Sequence, residues 1–203
     1  MAVVLGDYMD ILGYDPGGKG TNGVARVSLD QTGKIRAVDA ESCSTSDDAQ
    51  TWLECRSVGV DALAIDTLLA WTHGQRDLDR SLRARYGLPS GSVQSAGSLR
   101  GAMLVNGVLV ARHFMGQLSL FEVNPKATLR SVANAMQNEY TQICDVYSEH
   151  AADAALGAWV VGQWMLGVWK FDLFKVFDQN LYFPAGDAIF PWPDEFGPDI
   201  LGD

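Results

Sequence analysis

The run VDALAID, residues 60–66, limits the fold more than any other stretch of this chain. It is nearly continuous in apolar residues, has the length of a strand and ends on an acid. Such a run suits a strand buried on both faces, the kind found in sheets that helices cover on each side. The stretches before it follow another pattern. VARVSLD (24–30) alternates apolar and polar residues with the strand period, QTGK (31–34) supplies a turn, and IRAVDA (35–40) resumes an extended pattern. With DILGYD (10–15) ahead of them, they predict three consecutive strands joined by tight turns.

Downstream, residues 46–58 read as a short helix with Ser46 or Asp47 as N-cap and Trp52, Leu53 and Cys55 on its inner face. A charged amphipathic helix follows over 76–86, stopped by GLPSGS, a loop that ends near Ser98. Residues 99–114 are helix-like, QLSLFEV (117–123) is a fifth strand, and 126–138 form a helix launched after Pro125. The last helix runs over 149–169, and the acidic tail from about 178 reads as an irregular surface segment. These elements predict an α/β fold: a mixed five-stranded sheet, an antiparallel three-stranded meander followed by parallel strands, flanked by helices.

The 203 residues, 47% hydrophobic and 20% charged, suit a single domain over 1–203 that buries a sizeable core. MAVVLGDYMD carries no basic residue and lacks the pattern of a secretory signal. Cys43, Cys55 and Cys144 are odd in number and too dispersed for a zinc cluster, which points to reduced thiols and a cytoplasmic location. The apolar stretch 151–171 is interrupted by Asp153, Gln163 and Lys170, so it reads as a buried helix and no membrane partner is expected.

A net charge of −10 argues against a protein that coats nucleic acid non-specifically. Between Arg76 and Arg130, however, eight basic residues face three acids. That locally basic middle could steer a phosphate-bearing ligand or simply form a solvated helix face.

Gly13, four residues, then Gly18 and Lys19 nearly match the spacing of a phosphate-cradling loop. Such a loop needs Ser or Thr straight after the lysine and a helix beyond it. Here Gly20 follows and the next element is a strand, so the glycines read as hairpin-turn chemistry that holds no nucleotide.

Asp15 ends DILGYD, Asp66 ends DALAID, Glu122 comes near the end of LSLFEV, and Asp153 lies in the first turn of the final helix with His150 three residues earlier. Singly, each acid can be a strand end or a helix cap. Jointly, they would gather outside the carboxyl ends of the strands, where α/β sheets bind ligands. Carboxylates crowded there repel one another unless a divalent cation neutralises them, and an oxygen-rich set suits Mg²⁺ or Mn²⁺.

GYDPGG on the first strand, AIDTLLAW on the fourth, FEVNPKAT on the fifth, EHAADAALGAW opening the last helix and GDAIFPW near the end together resemble a family. It is the predicted nuclease family of uncharacterised ribonuclease H-like proteins, similar in turn to the Holliday-junction resolvases. The resemblance spans about residues 11–193 and implies a ribonuclease H-like fold. In those resolvases a first-strand Asp, a fourth-strand acid, and an acid or His three residues before an Asp on the last helix hold two metals. The roles fall here on Asp15, Asp66, and His150 with Asp153. Two departures stand out: the fourth-strand acid of resolvases is often Glu, and Glu149 beside His150 makes the helix ligand ambiguous.

The resemblance thus implies a metal-dependent nuclease that hydrolyses phosphodiester bonds of DNA or RNA by two-metal chemistry. Asp15 would bridge the metals, Asp66 and Asp153 would complete them, and His150 would be a ligand or a proton shuttle. Glu122 would be a further metal ligand or only position the NP turn. Arg76, Arg100 and Lys126 could hold substrate phosphates. Two rival readings are a non-catalytic scaffold on the same fold and an ATP-binding relative. The analogy to resolvases also implies a possible homodimer.

Overall fold

A computed structural model describes residues 8–88, 101–132, 134–177 and 180–193. The meander consists of β1 (Tyr8–Asp15), β2 (Asn22–Asp30) and β3 (Ile35–Cys43), with Gly13 opposite Ala25 and Val27 opposite Val38. The β2–β3 turn closes on Asp30, whose carboxylate accepts the backbone N–H groups of Thr32 and Lys34, and Gly33 supplies the left-handed residue at φ 80°. Next, α1 (Ser46–Arg56) opens with a reciprocal capping box between Thr45 and Asp48, so the N-cap is Thr45 and neither Ser46 nor Asp47.

All four residues of β4 (Ala62–Ile65) are buried, as a strand covered on both faces requires. After α2 (Asp77–Tyr86) and α3 (Gly101–Phe114) comes β5 (Ser119–Glu122), and β4 lies parallel to β1 on one side and to β5 on the other. The helix expected over 126–138 is two helices, α4 (Pro125–Ser131) and α5 (Asn134–Cys144). The break follows from Val132, which caps α4 in an extended conformation at φ −96° and ψ 158°.

The last long helix, α6 (Glu149–Met165), stops short of residue 169 because Gly167 turns left-handed at φ 71° and the N–H groups of Val168 and Trp169 fold back onto the Gln163 carbonyl. Beyond it lie β6 (Phe171–Asp172), α7 (Leu173–Val176), β7 (Ala188–Ile189) and β8 (Pro191–Trp192). The described part of the acidic tail is therefore not wholly irregular. β7 pairs parallel with β5 and makes the sheet six-stranded, in the order β3-β2-β1-β4-β5-β7, while β8 pairs antiparallel with β6. The expected loop starts at Gly87, which caps α2 left-handed at φ 58°, and its residues 89–98 lie outside the described residues.

Alternation along β1 divides the core in two. Ile11 joins Ala25, Val27, Leu29 and Phe121 against Ala151, Ala154, Ala155, Ala158 and Val161 of α6. Leu12 and Tyr14, on the opposite face, pack with Leu63 and Ile65 against Ala49 and Leu53 of α1 and Val110 and Phe114 of α3. A third cluster joins Leu78 and Leu82 of α2 to Phe174, Phe190 and Trp192.

The distance between α6 and the sheet is set by two glycines. A Cβ on Gly13 would collide with the Ala154 carbonyl, and one on Gly23 would collide with the His150 carbonyl. The first turn of α6 thereby lies directly over the ends of β1 and β2. No helix among the described residues is long and apolar enough to cross a membrane, and the apolar stretch of α6 is spent on the sheet. All three cysteines are free thiols.

Candidate functional site

β1 and β4 run parallel, and the Asp66 backbone N–H donates to the Tyr14 carbonyl at 2.9 Å. Asp15 and Asp66 therefore leave the sheet side by side at the carboxyl ends of adjacent central strands. Helix α6 adds His150 and Asp153 from its first turn, after Ser148 caps it by accepting the Ala151 N–H. His150 Nδ1 lies 2.7 Å from Asp15 Oδ2, and the Tyr140 hydroxyl of α5 donates to Asp153 Oδ1 at 2.6 Å.

Electrostatics ties the three carboxylates together. Burial raises the Asp66 carboxyl well above its ordinary range, and the charges of Asp15 and Asp153 raise it further. Burial also lifts Asp15, against the hydrogen bond and charge of His150. Asp153 is pushed up to about 6 by burial and by Asp15, with the Tyr140 hydrogen bond and Lys126 opposing. His150 moves up because Asp15 accepts its hydrogen bond, although burial works the other way.

Lys126, at the start of α4, is the nearby cation. Burial lowers its ammonium pKa, but Asp153, Glu149 and Asp66 outweigh that and raise it. Its Nζ lies 3.5 Å from Glu149 Oε1, and its side chain is half exposed.

The uncommitted oxygens are chemically informative. Among the described residues, Asp15 keeps Oδ1 free, Asp153 keeps Oδ2 free, and the Asp66 carboxylate accepts no hydrogen bond at all. The donors are hard oxygens with one imidazole at their edge, and each carboxyl is strained by the charge of another. That donor chemistry is of the kind that suits Mg²⁺ or Mn²⁺, and Asp15, Asp66 and Asp153 are the residues that could hold one. Among the described residues, however, no three His, Cys, Asp or Glu side chains already stand together as a metal-holding group, so the set has the chemistry of a cation site without being closed around one.

Two residues of the expected site belong elsewhere. Arg76 is 2% exposed, and its guanidinium donates to both oxygens of Asp79, both oxygens of Glu122 and the Ala70 carbonyl. It has no reach toward a substrate phosphate. Glu122 is equally buried, and its Oε2 also accepts the N–H groups of Leu69 and Ala70 at 2.7 and 3.3 Å. It is therefore no metal ligand, and it does not position the NP turn either, because Asn124 caps α4 with its own side chain. The triad of Arg76, Asp79 and Glu122 instead clamps the loop that leaves Asp66. Removing one partner from a buried set of this kind costs about 3–5 kcal/mol, since the remaining charges stay in the core unpaired. Arg100 lies outside the described residues.

Sequence offered a signal for this clamp. A glutamate at the buried end of an apolar strand needs a cation, and Arg76, at the N-terminus of α2 without a capping side chain, was available. Tyr140 had no such signal, since its role depends on where α5 docks.

The glycine-rich connection between β1 and β2 is a hairpin loop built on Asn22. That side chain accepts from the Tyr14 hydroxyl and the Gly17 N–H, and donates to the Gly18 carbonyl. Asn106 of α3 holds the Gly17 carbonyl from the other side, and Lys19 is exposed at the tip. No family model and no curated protein matches the chain.

Proposed function

We propose that this chain is a Mg²⁺- or Mn²⁺-dependent nuclease with a ribonuclease H-like fold, hydrolysing phosphodiester bonds of DNA or RNA. The observation that carries this reading is the gathering of Asp15, Asp66 and Asp153 at the carboxyl ends of two parallel strands, each with an oxygen that no donor among the described residues occupies. Motif order along the chain, from GYDPGG to EHAADAALGAW, supports it as well.

Divalent cations, when bound, supply an activated water and neutralise charge on the attacked phosphate. The chain's own residues have distinct parts. Asp15, Asp66 and Asp153 provide the anionic oxygens, and His150 orients Asp15 through Nδ1. The imidazole's Nε2 makes no hydrogen bond among the described residues, and the ring is partly exposed, so it can pass a proton to or from solvent. Lys126 offers a positive charge to a phosphate at the rim.

A second reading has an observation of its own. His150 and Lys126 already counter the acids without any metal, which suits a non-catalytic scaffold on the same fold. Thermal melting with EDTA and with millimolar Mn²⁺, beside cleavage assays on labelled single-stranded and branched DNA and RNA, separates the two. The nuclease reading expects a saturable rise in melting temperature and cleavage that Asp66→Asn reduces at least about a hundredfold. No metal-induced rise and no cleavage would leave the scaffold. Light scattering on the same samples tests for the dimer that the resolvase analogy suggests.

A further inference from the structure

The two carboxylates that α6 and β1 bring together are each fixed at one oxygen by a neighbour outside the acidic set. His150 holds Asp15 at Oδ2, and Tyr140 holds Asp153 at Oδ1. Asp66, between them electrostatically, has no such holder among the described residues. A carboxylate anchored at one oxygen and open at the other cannot turn its free oxygen away without breaking the anchor. Groups that anchor ligating carboxylates in this way set ligand orientation and hence metal affinity.

We propose that Tyr140 is a positioning residue that aims Asp153 at a divalent cation, an inference that rests on the metal-site reading above. Three features support the role. The bond is short, at 2.6 Å, and it comes from a helix other than the one that carries Asp153. A phenol hydroxyl is a hydrogen-bond donor, and the carboxylate oxygen it meets can only accept. Asp153 is 4% exposed, so water hardly competes with the phenol for its oxygens. A bond that only tied α5 to α6 could have used any exposed pair. This one terminates on an acid that feels the charges of both Asp15 and Lys126.

The experiment measures Mn²⁺ affinity of the full chain by the electron paramagnetic resonance signal of the free ion, with melting in EDTA as the record of folding. Tyr140→Phe should weaken Mn²⁺ binding about 10- to 100-fold while the EDTA melt shows a folded protein. Ile143→Ala, which removes packing of the same helix against the core, loosens α5 but leaves the hydroxyl and its partners in place, and should bind Mn²⁺ as the parent does. In an Asp153→Asn background, Tyr140→Phe should add no further loss, since its effect passes through Asp153. If the parent binds and Tyr140→Phe binds equally well, the proposal fails while the metal site stands. Equal loss in Ile143→Ala would also overturn it, in favour of helix packing. A parent that binds no Mn²⁺ overturns the proposal together with the site reading.

Discussion

Asp153 shows how a single residue can be unfavourable for the fold and still suit a function. Its carboxyl rises from the ordinary 3.8 to about 6, with burial and then Asp15 as the raising causes. For an acid with a raised folded value, stability is complete below pH 3.8 and is lost as pH climbs through about 6. At 1.36 kcal/mol per unit the loss is on the order of 3 kcal/mol, shared with Asp15 and Asp66 because they titrate together. His150 adds to the same trend, since its raised value gives stability that is present below 6.5 and lost as pH rises above it. Asp153→Asn should therefore flatten the fall in stability between about pH 4 and 7, and leave the metal-free protein at neutral pH as stable as the parent or more so. Urea unfolding across that range in EDTA checks this. An Asn variant that is about 1 kcal/mol weaker at every pH would mark Asp153 as a structural acceptor for Tyr140.

At the scale of elements, the seat of α6 on β1 and β2 decides whether a site exists, because it carries His150 and Asp153 to Asp15. Gly13 and Gly23 let that helix approach until its backbone touches theirs. Gly13→Ala should cost about 3 kcal/mol or more, since backbone on both sides must move apart. Gly18→Ala is the matched control: its Cβ would meet little but the Thr21 hydroxyl, at 3.9 Å, and its φ is not left-handed, so stability should change by no more than about 0.5 kcal/mol. Thermal melts of the two variants give the comparison, and equal shifts would contradict this docking. The same scale explains what could be read in the chain beforehand. β2 and β4 were the most legible strands because their burial imposes a pattern, alternating over residues 25–30 and unbroken in β4. β7 and β8 have two residues each, too few for any period, and owe their strands to neighbours that sequence does not reveal. The break between α4 and α5 likewise turns on one extended residue, Val132. Where Asp15, Asp66 and Asp153 lie was legible from strand ends and helix spacing. Arg76 and Glu122 were misplaced because charge in a sequence does not tell whether it is solvated or already paired inside.

For the whole molecule, a net charge of −10 opposes any phosphate backbone, and the basic middle of the chain does less against this than its composition suggests. Arg76 is spent inside the core, and at the surface Arg80 pairs with Asp77 and Lys126 with Glu149. The ends of β1 and β4 hold the carboxylates of Asp15 and Asp66, with Asp153 over them, and these oppose a phosphate. Lys19, which makes no ion pair among the described residues, stands on the hairpin loop beyond Asp15. Binding should therefore require divalent cation, and only a few phosphate contacts should contribute. Fluorescence anisotropy of a labelled oligonucleotide, with Ca²⁺ as a cation that supports cleavage poorly, puts this to the test. In EDTA at about 0.1 M salt the protein should show no association, and millimolar Ca²⁺ should restore it. The log–log salt dependence should be shallow, with a slope of about −1 to −2, as two or so neutralised phosphates imply. Lys126→Ala should reduce that slope by about one and weaken binding on every sequence alike. Tight binding in EDTA with a steep salt slope would mean that a basic surface recognises the nucleic acid without help, and the acidic cluster would then lose its place as the point of contact.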